Sequence, residues 1–310
     1  MPSFNRIAIH GHRGWASSKI SEALIASGAP IRVIYRPGSD VSNLPSSVAS
    51  VEVDVNNEQA LIEALHDIDI VISLVGHEDI ERQHAFVKAI PKTGVKLFSP
   101  SKLAGRYDEQ GLKIPVNKAK HEVEEALIAA GIPTTVVLLG NFAEFTLSTT
   151  CMGVDLPGNK IVYSGNSAQE NVYLCTRDYV AAAYASIFAS TPISQLQNRD
   201  ISISELTATG SEVADALEKR HGTPPRVSSL SAERVNTEVE EGLESGNPFT
   251  LAWLARKVWG TGQHNKIVGN DLWEVEGYEK ATLKDLIVDG KLEAYRQLPP
   301  KVAEYFRGTF

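Results

Sequence analysis

The sequence predicts an α/β protein, a doubly wound parallel sheet joined to a smaller, irregular α+β C-terminal lobe. Three observations carry this. Short runs of nearly unbroken apolar residues alternate with helix-like segments through the first half of the chain. Strands buried on both faces by crossover helices need that composition. After about residue 145 the alternation stops, and Gly153, Pro157-Gly158, Gly165 and Asn166 mark closely spaced turns.

Ile7-Ala8-Ile9 reads as the first strand. Residues 18–27 follow as a helix with Ile20, Ala23, Leu24 and Ser27 on one face. Ile31-Arg32-Val33-Ile34-Tyr35 is the second strand, and Val51-Glu52-Val53, closed by Asp54, the third. A helix over 58–66 leads to a fourth strand, Ile70-Val71-Ile72-Ser73-Leu74-Val75. Residues 80–92 read as a helix with Pro91 near its end, and Val95-Lys96-Leu97-Phe98 as the fifth strand. A helix over 118–130 is stopped by Gly131, before a sixth strand over 134–139. Further on, a helix over 177–188 is expected to pack back on the sheet. Residues 211–221 form another helix, and several short ones lie near the C-terminus. The polar, acid-rich stretch 228–247 reads as a flexible surface loop flanking a helix. Residues 1–150 are therefore expected to form one domain and 151–310 a second lobe.

At 310 residues and 43% hydrophobic content, the chain can bury a large core. A formal net charge of -8, with Lys and Arg scattered, argues against a nucleic-acid or anionic-membrane binder. The two cysteines, Cys151 and Cys175, make no disulfide framework and point to a reducing, cytoplasmic setting. Met1-Pro2-Ser3-Phe4-Asn5-Arg6 lacks the apolar core of a signal peptide, and no apolar run reaches the roughly 18–20 residues of a membrane span. A small-molecule partner suits such a chain, as monomer or homodimer.

The chemistry-bearing stretch is His10-Gly11-His12-Arg13-Gly14-Trp15-Ala16-Ser17, between the first strand and its helix. Gly11 permits a tight turn and Gly14 a close approach of backbone to phosphate, with Ser17 at the third position of a G-x-x-G-x-x-G turn. The helix N-terminus then faces a pyrophosphate. Arg36 ends the second strand where such folds read the adenosine ribose, and an arginine there favours a 2′-phosphate, hence NADP(H). His12 and Arg13 either add charge-assisted contacts to phosphate or face solvent at a loop tip. A metal site at His10 and His12 is disfavoured, because no third ligand lies nearby in sequence. Trp15 either caps the cofactor cleft or packs beneath the helix. Val75 and Gly76 follow the fourth strand at the edge where ligands of open α/β sheets bind. His77 is open to two readings, catalytic or simply an exposed loop residue.

In their order, Gly11-x-x-Gly14, Arg36, the segment Ser73 to Gly76, Val95-Lys96-Leu97-Phe98-Ser99-Pro100-Ser101, Lys120-x-x-Val123-Glu124, Gly131-Ile132-Pro133, Gly140-Asn141-Phe142 and Arg177-Asp178 resemble one group. It is the NmrA-like and isoflavone reductase-like group of atypical short-chain dehydrogenases/reductases. The resemblance implies a Rossmann-type doubly wound parallel sheet that binds NADP(H), with a substrate lobe beside it. It implies Lys120 as ribose anchor and general acid or base. The tyrosine four residues before the lysine in the wider group is Val116 here. The resemblance further implies that Asn141 and Phe142 meet the nicotinamide. Where relatives carry Ser-Glu-Phe-Gly after the fifth strand, this chain reads Ser101-Lys102-Leu103-Ala104, which puts Lys102 beside the substrate. Tyr107 is a candidate donor or a packed loop aromatic, and Phe145, Leu147, Met152, Trp253, Trp259 and Trp273 are candidate apolar walls.

The function expected first is NADPH-dependent reduction of a small phenolic, aromatic or alkaloid-like metabolite. Two alternatives stand beside it. One is an NADP-binding regulatory protein without turnover. The other is an isomerase or cyclase that keeps NADP(H) bound.

Overall fold

The computed structural model describes residues 4–310, so Met1, Pro2 and Ser3 lie outside the described residues. Strands β1 (Ile7–His10), β2 (Ile31–Tyr35), β3 (Ala49–Glu52), β4 (Ile70–Ser73) and β5 (Leu97–Ser99) form a parallel sheet in the order β3-β2-β1-β4-β5. Strand β6 (Thr135–Leu139) continues it, because the Phe98 amide donates to the Pro133 carbonyl at 2.9 Å and Phe98 bridges Thr134. Strand β7 (Arg199–Ile203) pairs in parallel with β6 and extends the far edge. The order reverses direction at β1 and β4, and ligands of such sheets bind at that point.

Side chains alternate across β1, and both faces are closed. Ile7 and Ile9 pack under α1 (Trp15–Ala26), together with Tyr179, Ala183 and Ile187. Ala8 faces the other way, toward Leu61 of α2 (Glu58–Ala64), Phe86 of α3 (His84–Ala89), and Val123 and Leu127 of α4 (Pro115–Ala129). Helix α5 (Arg177–Phe188) returns from the second half of the chain to lie on α1.

Several boundaries differ from the sequence expectation. Helix α1 starts three residues early, since Gly14 takes the extended N-cap conformation (φ -67, ψ 164). Helix α4 starts at Pro115, whose missing N–H costs nothing in a first turn. That places Val116 and Lys120 on one helix. Residues 80–92 are broken into a 3-10 turn (His77–Gln83), α3, and a second 3-10 turn around Pro91. The expected loop at 228–247 is instead a strand (Arg226–Leu230) and a 14-residue helix (Ala232–Ser245). Ser231 caps that helix, and Val235, Val239 and Gly242 form its buried stripe. Three positions in 14 suffice to dock a helix whose remaining surface is charged.

Two small sheets complete the second half. One joins Asn141–Phe142, Asn171–Cys175 and Leu206–Thr209; the other joins Val154–Asp155, Lys160–Ser164 and Arg226–Leu230. Arg256 is fully buried and donates to the carbonyls of Cys151 and Thr150 at 2.6 and 2.9 Å, which fixes the loop behind the cleft. Cys151 and Cys175 are both free and buried. Among the described residues no helix is long and apolar enough to cross a membrane.

Candidate functional site

The glycine turn lies directly on the end of β4. Gly11 has φ +91, and a Cβ there would sit 2.8 Å from the Val75 nitrogen, so only glycine fits. Gly14 caps α1 without a side-chain bond, and the first turn carries no acidic residue. The amides opening α1 therefore remain available to an anion. Ser17 is buried under the turn, and a Cβ on Gly14 would lie 2.5 Å from its hydroxyl oxygen.

From this turn a groove runs both ways across the sheet edge. Its outer end, about 430 Å³, is lined by Gly11, Arg13, Tyr35, Arg36, Gly76 and Arg82. Arg13 and Arg36 are exposed, and neither pairs with a carboxylate among the described residues. His12 does not face solvent at the loop tip. It is 3% exposed, burial and then the Arg13 charge lower its pKa, and its Nε2 has no partner. His10 is held neutral, its pKa lowered to about 4 by burial and then by Arg82. Among the described residues no three His, Cys, Asp or Glu side chains converge to hold a metal.

The inner end, about 370 Å³, brings together Trp15, Val75, Gly76, Tyr107, Lys120, Asn141, Phe142 and Phe145. A Cβ on Gly76 would meet nothing, so the floor is open there. Trp15 forms part of the wall and does not lie beneath α1. Its ring stands edge-on to Phe142 at 5.1 Å and to Tyr295 at 4.7 Å, with the Arg177 guanidinium 5.2 Å away. Asn141 is fixed by pairing with Leu174, and its buried amide nitrogen has no partner. A Cβ on the preceding Gly140 would lie 2.4 Å from the Tyr173 carbonyl oxygen, which lets the chain cross so closely there. Tyr107 lines the cleft while packing on Gly111, and burial raises its pKa.

Lys120 is 7% exposed and points into this end from α4. Its Nζ donates to the Lys102 carbonyl at 2.6 Å. Burial, and then the positive charge of Lys102, lower its pKa to about 7, against a smaller opposing pull from Glu124. Val116, one turn earlier, lines the cleft where the wider group has a tyrosine. Lys118 is exposed and pairs with Glu122.

Lys102 itself lies outside the cleft lining. It is 3% exposed, and its ammonium sits 3.0 Å from Glu124 beneath the floor. His77 stands at the exposed rim. Leu147, Met152, Trp253, Trp259 and Trp273 are not walls of the cleft. Leu147, Met152 and Trp259 fill one core, Trp253 packs with Phe306, and Trp273 lies over the outer core and donates to Ser186. The walls come instead from Phe249, Leu251, Ala252 and a segment carrying Tyr295, Leu298 and Phe306. No spacing pattern links those residues to the cleft.

These features fit a dinucleotide. There is a helix N-terminus with no side-chain cap at a glycine turn, two arginines at one end with no carboxylate partner among the described residues, an unpartnered amide nitrogen on Asn141 and an unpartnered ring nitrogen on His12. Gly11, Gly14 and Gly76 stand where the groove passes closest to backbone.

The NmrA-like family matches residues 4–249. An isoflavone reductase from Medicago sativa is 24% identical over 308 residues, covering 91% of this chain and 96% of that protein. A solved isoflavone reductase superposes with a TM-score of 0.77 at 23% identity, over 93% of this chain and 100% of the other. The complex of leucoanthocyanidin reductase with NADPH from Vitis vinifera superposes with a TM-score of 0.69 at 20% identity, over 98% of each chain. The solved structures share the Rossmann-type fold, and the sequence match across most of the chain makes this protein a member of the NmrA-like family.

Proposed function

We propose that this protein is an NADPH-dependent reductase of a small phenolic or related aromatic metabolite. The observation that carries the reading is Lys120, a buried amine with a pKa lowered to about 7, set in an apolar cleft beside the glycine turn. Relatives named as isoflavone and leucoanthocyanidin reductases, one solved with NADPH, support the cofactor and the substrate class. In this reading residues 1–150 supply the cofactor groove, while 151–310 supply the far wall and return α5 and β7 to the sheet.

NADPH, when bound, supplies the hydride. Arg13 and Arg36 hold the 2′-phosphate, and the amides at the start of α1 hold the pyrophosphate. Asn141 donates its unpartnered amide to the nicotinamide end. Trp15, Phe142 and Phe145 exclude water from the reacting carbon and offer flat apolar surface to an aromatic ring. Lys120 anchors the ribose and gives a proton from Nζ to the oxygen or carbon that gains electrons. An amine with a pKa near neutrality is both protonated often enough and acidic enough for this.

The test follows reduced-nicotinamide absorbance with NADPH and a panel of isoflavones, phenylcoumarans and related phenolics. Consumption tied to product is expected, and Lys120→Ala should lower turnover by about 10²–10⁴-fold. Full turnover in Lys120→Ala would refute its assignment. Product without NADPH consumption would refute reduction and favour an isomerase or cyclase.

A further inference from the structure

A cluster of four charged side chains lies directly beneath Lys120, outside the cleft. Lys102 and Glu124 are both almost fully buried, with side chains 4% and 6% exposed, and face each other at 3.0 Å. Arg106 pairs with the other oxygen of Glu124 and makes a two-pronged contact with Asp200 of β7 at 2.8 and 2.6 Å. Glu124 is four residues beyond Lys120 on α4, hence on the same face. The backbone is bent to serve this arrangement. Leu103 has φ +41, in the left-handed region that residues other than glycine rarely adopt. That bend sends Leu103 into the cleft wall and the Lys102 ammonium under the floor. The Lys102 carbonyl meanwhile accepts a hydrogen bond from Lys120 Nζ at 2.6 Å.

We propose that Lys102 is a positioning residue for Lys120, fixing its amine through the carbonyl and holding a second, buried positive charge beside it so that Lys120 releases its proton readily. This rests on the reading of Lys120 as proton donor. A surface ammonium would be screened by water, whereas one buried beside another acts through a poor dielectric. Glu124 and Arg106 keep Lys102 in place. Glu124 attracts the Lys120 proton, and its pairing with two other cations limits that pull. Among the described residues, the other titratable or charged side chains lining the cleft with the amine are His77 after β4, Tyr107 after β5, Cys151, and Tyr295 and Arg296 from the C-terminal segment. None is a carboxylate.

Titration of lysine ¹³Cε resonances by NMR on the full chain tests this without any substrate, with Lys120 assigned through Lys120→Arg. Lys102→Met leaves Glu124 paired with Arg106, so no carboxylate is stranded. It should raise the Lys120 midpoint by about one pH unit or more, while Lys102→Arg should restore it. Lys102→Gln should raise the midpoint likewise, and decides the matter if Lys102→Met does not fold, whereas Glu124→Gln should move it the opposite way. An unchanged midpoint in Lys102→Met, or a wild-type midpoint near the ordinary lysine value of about 10, overturns the inference. A low midpoint unmoved by Lys102→Met leaves burial alone as the cause and overturns only the role of Lys102. Undiminished turnover in Lys120→Ala overturns the underlying reading instead.

Discussion

Arg36→Ala separates cofactor preference from general nucleotide binding. Arg36 directly follows β2, and its backbone is held in a turn by the Ser39 amide, 3.1 Å from its carbonyl. With no carboxylate partner among the described residues, its guanidinium pays no desolvation of an existing ion pair when a phosphate arrives. A hydrogen bond to a charged group contributes about 1.5–3 kcal/mol. Arg36 is exposed, so the lower end applies. About 1.5 kcal/mol is roughly a tenfold change in Kd. Fluorescence titration should therefore show NADPH binding weakened about tenfold by Arg36→Ala, with NADH changed less than about twofold. Arg13→Ala should behave alike. High salt should narrow the wild-type preference, since the screening length falls from about 10 Å at 0.1 M to about 3 Å at 1 M. Equal weakening of NADPH and NADH would refute the 2′-phosphate assignment.

Two further predictions concern the scaffold. Gly11→Ala places a Cβ 2.8 Å from the Val75 nitrogen at φ +91, and should cost about 1–3 kcal/mol of stability along with NADPH affinity; a melting temperature and Kd equal to wild type would show that the turn does not rest on β4. Glu144, 2% exposed, accepts from the Arg177 amide at 2.8 Å, and burial raises its pKa from 4.5 to about 7. The folded state then holds a proton that the unfolded state loses above pH 4.5, so stability from this group is present below 4.5 and lost as pH rises to about 7. Glu144→Gln should remove that slope, worth about 3 kcal/mol at 1.36 kcal/mol per unit. Denaturant melts of both proteins with unchanged pH slopes would contradict it.

Much of the lining of the groove was legible in the sequence, because its signals are local. Parallel strands are apolar along their whole length, Gly11 and Gly14 sit within one turn, and Lys120 lies on a helix of clear period. The rest depends on contacts far apart in the chain. Nothing near Tyr295 announces that it packs on Trp15, 280 positions earlier by residue number. Lys102 was visible as a charge near the substrate, but the left-handed backbone of Leu103, which turns it beneath the floor, has no sequence signature. Of the tryptophans expected in the cleft wall, Trp253 and Trp259 were drawn into cores and Trp273 packs half-buried against another. Residues 228–247 looked like a flexible surface loop flanking a helix, since a three-residue stripe is diluted by the acids around it.

The reaction proposed is hydride transfer from the nicotinamide to the substrate. It is tested most directly with NADPH carrying deuterium at nicotinamide C4, by mass spectrometry of the product from the first phenolic the protein converts. One deuterium on the product carbon, matched by one equivalent of NADP⁺ formed, is the result expected. Product without deuterium from either C4 face, or formed while NADPH stays reduced, would contradict it.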